Sequence, residues 1–261
     1  MKHLFEYDKY VMPSAPVNEG FITDIFPAFL KWLREWFNKK ANDRNMIFQL
    51  PTGLLPQEIE GDHMMYVPHQ QGGRGAAKLF LAAKGQYKLT EDDINKLKTN
   101  VPASDPNYKI VADTKKTSKE RALAYFKYWK KTWENYKRDA KANIASHPEV
   151  QKGIAKVDAK HPKFFSNDFL TTVAWIESGF EPKAGFDPKT GKTGPHKGLF
   201  QIGNDAFSDL KKIYKDKDRL YSQREDIPMD TVENPQMGND YLKWAYERFQ
   251  NNLAELEKTK A

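Results

Sequence analysis

Residues 166–182 read Ser166-Asn167-Asp168-Phe169-Leu170-Thr171-Thr172-Val173-Ala174-Trp175-Ile176-Glu177-Ser178-Gly179-Phe180-Glu181-Pro182. Ser166-Asn167-Asp168 supplies a helix N-cap signal. Leu170, Val173, Ala174 and Glu177 then recur at i+3, i+4 and i+7, the spacing of one helical face. Glu177 therefore projects from an apolar stripe, a costly place for a carboxylate unless it is neutral or paired. Gly179 and Pro182 stop the helix at once, so Glu177 falls in the last turn, where a cleft can open. Burial there predicts a raised pKa and a protonated carboxyl suited to general acid catalysis. On the helix alone, a buried Glu satisfied by structural hydrogen bonds is an equal reading.

Two further blocks follow. Gly198-Leu199-Phe200-Gln201-Ile202 comes twenty residues on, and Asn234-Pro235-Gln236-Met237-Gly238-Asn239-Asp240-Tyr241-Leu242 closes the set. The Glu177 stretch resembles the ESxxxP block of soluble lytic transglycosylases, the second block is similar to that family's GLMQI with Phe for Met, and the third to its N-x-x-x-G-x-x-Y-L helix. Three blocks in order over about 75 residues carry the resemblance, which spans roughly residues 162–250.

The resemblance implies a lysozyme-like, mainly helical domain with a saccharide cleft that cuts the MurNAc–GlcNAc β-1,4 bond of peptidoglycan. It implies that Glu177 acts first as acid on the leaving oxygen and then as base, and that Ser178 helps orient it. Gly198, Leu199, Phe200, Gln201 and Ile202 are implied as a substrate-side loop, with Gly198 allowing close backbone approach and Gln201 offering an amide. Tyr241 is implied on the far wall, with an ordinary core tyrosine as the alternative. One carboxylate suffices in such an enzyme, because the substrate's N-acetyl group and C6 hydroxyl supply internal nucleophiles, whereas most glycosidases need two. Glu181, Asp187, Asp205 and Asp209 are the nearby second carboxylates, and their loop or polar positions predict solvated side chains. The family's A-Y-N block after the third motif is missing, since Ala245-Tyr246-Glu247 follows Tyr241 too closely. Another tyrosine must take its role, or the cleft is completed differently.

Upstream, residues 1–17 read as an extended arm, and 18–160 as a basic, largely helical region preceding a catalytic domain at 161–261. Ile22, Phe26, Phe29, Leu33 and Trp36 form an amphipathic stripe over Phe21–Lys40. Residues 41–115 are punctuated by Pro and Gly, and Gly72-Gly73-Arg74-Gly75 reads as a turn before a short helix near Ala76. Thr90 opens a helix with an acidic first turn, and Pro102, Asp105 and Pro106 mark a loop. Thr117 and Glu120 form a capping-box pattern ahead of a helix whose Ala122, Phe126, Trp129, Trp133 and Tyr136 read as one buried face rather than a sugar platform. His147-Pro148 ends or bends it.

The chain has 261 residues, 39% hydrophobic and 13% aromatic, enough for a real core. It has no cysteine, which excludes a disulfide framework, a thiol nucleophile and a Cys-ligated metal. The six histidines are scattered and no HExxH occurs, so no metal or other cofactor is expected; His196, just before the GLFQI block, could border the cleft but reads as a loop histidine. The net charge of +7 is uneven: residues 161–261 hold 15 Lys and Arg against 16 Asp and Glu, leaving 27 against 19 for residues 1–160. That basic excess suits an anionic wall polymer, a membrane surface or a neighbouring virion protein, with nucleic acid the less favoured partner and a solvated lysine-rich surface the bland reading. No transmembrane run and no secretory signal are evident at the start. These features predict a wall-degrading protein delivered by other means, as a bacteriophage virion component or endolysin that passes from particle or host cytoplasm to the periplasmic wall. A structural virion or wall-binding protein that keeps a non-catalytic lysozyme-like domain is the alternative.

Overall fold

The computed structural model describes residues 55–157, 165–214 and 220–259. The expected arm and the Phe21–Lys40 helix lie outside them. All described residues belong to one compact unit, Asn42–Ala261.

The unit is mainly helical. In chain order it comprises α1 (His63–Ala83), α2 (Glu91–Asn100), α3 (Pro106–Ala112), α4 (Ser118–Asn143), α5 (Pro148–Lys156), α6 (Asn167–Ser178), α7 (Asn204–Ile213) and α8 (Glu233–Lys258). Two small antiparallel ladders lie between α6 and α7: β1 (Phe186–Asp187) with β2 (Lys192–Thr193), and β3 (His196–Lys197) with β4 (Ile202–Gly203).

Local chemistry accounts for the helix starts. Thr90 and Asp93 make a reciprocal capping box on α2, and Thr117 and Glu120 make one on α4, as the pattern predicts. Ser166 accepts from the Phe169 amide at the head of α6. Two segments depart from the sequence expectation. Asp105 and Pro106 do not simply mark a loop: Asp105 caps α3 and Pro106 occupies its first turn, where a missing N–H costs nothing. The Gly72 turn is a kink inside α1, which begins at His63 rather than near Ala76. Gly72 takes φ 68°, open to glycine, and the next residue must also be small. A Cβ on Gly73 would lie 2.8 Å from the Arg248 backbone, so this glycine lets α1 and α8 cross closely. At His147-Pro148 the chain bends, passing through a single 3₁₀ turn (Ile144–Ser146) into α5.

The stripe of α4 is core at Ala122, Phe126, Trp129 and Trp133, as its spacing predicts, while Tyr136 at its end is half-buried. Phe126 and Trp133 are fully buried and Trp129 nearly so. Trp133 packs on Phe169 of α6 at a ring distance of 5.1 Å and on Tyr66 of α1 at 5.5 Å; Trp129 meets Tyr66 at 5.7 Å. Helices on both sides of residue 160 thus share one core, and among the described residues packing runs across the expected boundary at 160/161.

Candidate active site

Glu177 sits in the last turn of α6, which Gly179 ends in the left-handed conformation at φ 61°. Leu170, Val173 and Ala174 on the same face are buried, and the Glu177 side chain is 17% exposed. Its carboxylate faces two groups of α1. The Tyr66 hydroxyl donates to Glu177 Oε1 at 2.5 Å, and His69 Nε2 lies 3.2 Å from the same oxygen. Oε2 has no hydrogen-bond partner among the described residues. Gln70 Nε2 donates to the Tyr66 oxygen at 2.8 Å, so the phenol is fixed as a donor toward the carboxylate. Burial, followed by the charge of Glu177, pushes the Tyr66 phenol well above the ordinary range.

Tyr241 of α8 lies beside His69. Its ring stands edge-on to His69 at 5.5 Å, and burial and then the Glu177 charge raise its pKa. His196 on β3 is exposed but close enough for its charge to act on Glu177. One expectation is corrected here. Burial does press the Glu177 carboxyl upward, as the helical spacing predicts. The hydrogen bond and charge of His69, the Tyr66 hydroxyl and the charge of His196 together outweigh it, and the carboxyl lies below its ordinary value. The free site holds Glu177 as a supported carboxylate.

The second and third blocks pack against each other. Asn234, fully buried, accepts from the Phe200 amide at 2.9 Å and donates to the Pro228 and Lys197 carbonyls at 2.7 and 3.3 Å. Gly198 sits against the Asn234 amide with no room for a Cβ, and Gly238 sits likewise against the Phe200 ring. The blocks therefore interlock: one asparagine fastens the loop and one missing side chain admits the aromatic ring.

Not every residue implied on the substrate side faces a cleft. Leu199, Phe200 and Ile202 are buried in the core. Gln201, at the unusual φ of 43°, turns its amide to the Gly198 carbonyl at 2.8 Å. The Ser178 hydroxyl donates to the Ala174 carbonyl at 2.9 Å rather than to Glu177. Glu181 and Asp187 bond backbone amides of their own turns. Tyr66 and His69 were not singled out by their spacing as partners of Glu177. The available signal is a polar pair at i and i+3 set among Met64, Met65, Val67 and Pro68.

A largely buried carboxylate on a helix end, held by a phenol and an imidazole, can give and take a proton. Residues 158–258 match the family model of the transglycosylase SLT domain, about two fifths of the chain. The fold is accordingly mainly helical with a lysozyme-like C-terminal region, and the match points to lytic transglycosylase activity on peptidoglycan. No curated protein and no solved structure matches the chain. Among the described residues no helix is long and apolar enough to cross a membrane.

Proposed function

We propose that the protein is a peptidoglycan lytic transglycosylase that cleaves the MurNAc–GlcNAc β-1,4 bond with Glu177 as its single catalytic carboxyl. The observation that carries this reading is the Tyr66–Glu177 hydrogen bond of 2.5 Å at the end of the apolar face of α6. Donors occupy Oε1, so Oε2 is the oxygen free to carry and return a proton.

A saccharide seated over the carboxylate removes water and strengthens the burial effect, which favours the protonated form. Oε2 then gives its proton to the glycosidic oxygen as the bond to the leaving sugar breaks. The carboxylate so formed takes the proton of the C6 hydroxyl as that oxygen closes on the anomeric carbon, giving an anhydro sugar. Tyr66 takes the part for which the resemblance required a distal tyrosine, reaching the site from α1 rather than from the chain beyond Tyr241. Tyr241 and Gln201 border the sugar, while Leu199, Phe200 and Ile202 act as the packing that holds their loop.

A zymogram of embedded peptidoglycan comparing the protein with Glu177→Gln tests the reading. Clearing by the first alone supports it; equal clearing by both takes Glu177 out of the chemistry, and clearing by neither leaves a wall-binding scaffold as the function. Delivery in a phage particle, with the basic residues 1–160 meeting wall or virion proteins, is a separate proposal. Mass spectrometry that finds the chain in purified particles supports it, and its absence there overturns it.

A further inference from the structure

His69 is built into the site in a way that a bystander histidine is not. Its side chain is 18% exposed, its Nε2 faces Glu177 Oε1 at 3.2 Å, and its ring is packed between Tyr66 at 5.3 Å and Tyr241 at 5.5 Å. Nδ1 is buried and has no hydrogen-bond partner among the described residues. A neutral imidazole with its hydrogen on Nε2 fits these surroundings, donating to Oε1 and leaving only a bare lone pair on Nδ1. An imidazolium would bury an N–H on Nδ1 that no described residue accepts, which disfavours it.

We propose that His69 is a positioning residue that couples its own charge to the proton of Glu177, so that the working site is a carboxyl–imidazole pair in which neutral His69 and Tyr66 hold Oε1 and the proton sits on Oε2. This deepens the reading of Glu177 as the acid and rests on it. At intermediate pH the pair holds one proton. With that proton on His69 the site is an ion pair that keeps Glu177 ionised; with it on Oε2 both groups are neutral and the acid is armed. The exchange runs through solvent: the imidazolium releases a proton to water, and Oε2 takes one from water. Removal of water by a bound sugar favours the uncharged arrangement, because a desolvated ion pair loses more hydration than a neutral pair.

Other groups face the pair. Gln70 and Tyr66 lie on α1, with Tyr136 of α4 acting on Tyr66; Tyr241 lies on α8, where Arg248 and Asp209 of α7 act on it; His196 lies on β3. Of these, His196 is the other histidine whose charge reaches Glu177, so it serves as the control.

The test is the pH profile of kcat/KM on soluble glycan strands for the unsubstituted protein, His69→Gln and His196→Gln. Each is paired with a 13C NMR titration of the Glu177 carboxyl. Gln at position 69 keeps a donor but cannot charge. The proposal predicts a bell-shaped profile for the unsubstituted protein, and in His69→Gln a profile whose acid limb is gone and whose remaining alkaline limb is that of Glu177 alone. It also predicts that the Glu177 carboxyl titrates at higher pH in His69→Gln. In His196→Gln the acid limb persists. Superimposable profiles for His69→Gln and the unsubstituted protein, an unmoved carboxyl titration, or loss of the acid limb in His196→Gln instead would each overturn the proposal. Full activity of Glu177→Gln would sink the acid assignment itself, while the NMR titration would still report whether the two residues are coupled.

Discussion

Tyr66 and Glu177, 111 residues apart in sequence, are joined by a 2.5 Å hydrogen bond between the first and sixth helices. The bond ties the candidate acid to the aromatic core, because Tyr66 rests on Trp129 and Trp133 of α4. A residue implied as catalytic by one end of the chain is thus oriented by the other, and the region before residue 160 forms part of the site's wall.

Replacing Tyr66 by Phe removes the donor and keeps the ring. A hydrogen bond to a charged group is worth about 1.5–3 kcal/mol, so plateau kcat/KM should fall by roughly ten- to 150-fold. Since the hydroxyl lowers the Glu177 pKa, its loss raises it, and the alkaline limb of the profile should move to higher pH. Steady-state kinetics on soluble glycan strands across pH checks both. An unchanged plateau and an unmoved limb would contradict this role.

Gly238→Ala places a methyl group into the Phe200 ring. Overpacking of this kind costs about 1–3 kcal/mol, and thermal unfolding should show a Tm lower by roughly 2–4 °C for each kcal/mol. The flexible thioether of Phe200→Met should recover part of that loss in the double variant. A double-mutant cycle by calorimetry measures the coupling, and strict additivity would show that the two positions do not press on one another.

The Glu177 helix was legible because all of its signals are local: Ser166 at its head, Gly179 at its end, and a 3.6-residue stripe between them. The same holds for the capping boxes at Thr90 and Thr117. The start of α1 was not legible, because Gly72 and Gly73 read as punctuation when one is a kink and the other a contact surface for α8. The α3 helix was missed because Asp105-Pro106 opens turns and helices alike. The place of Glu177 on its helix is legible in the sequence and its charge state is not, since burial is visible in periodicity and a partner 108 residues away is not. The resemblance implies Phe200 on the substrate side, but the absent side chain of Gly238 makes room for its ring inside.

His63 predicts a second pH effect, on stability. Burial, and then the charge of Lys130, lowers its pKa to about 3, and neither ring nitrogen has a hydrogen-bond partner among the described residues. The unfolded chain, with an ordinary value near ~6.5, binds a proton between these limits that the folded protein does not. Stability should therefore fall as pH drops below ~6.5, with a slope from this group approaching about 1.4 kcal/mol per pH unit. Urea denaturation at several pH values should show a shallower acid decline for His63→Gln, whatever its stability at neutral pH. Parallel declines would show that His63 is charged in the folded state.

The central claim, that Glu177 is the proton-transferring carboxyl, is tested most directly by the rate at which Glu177→Gln releases products from purified peptidoglycan, followed by mass spectrometry. Gln keeps the size of the side chain but cannot carry the proton. With circular dichroism and Tm showing a folded variant, the account predicts that anhydro-muropeptides appear with the unsubstituted protein and that their release by the variant falls by about 10²–10⁴-fold. Release by the variant at a rate close to that of the unsubstituted protein would contradict it.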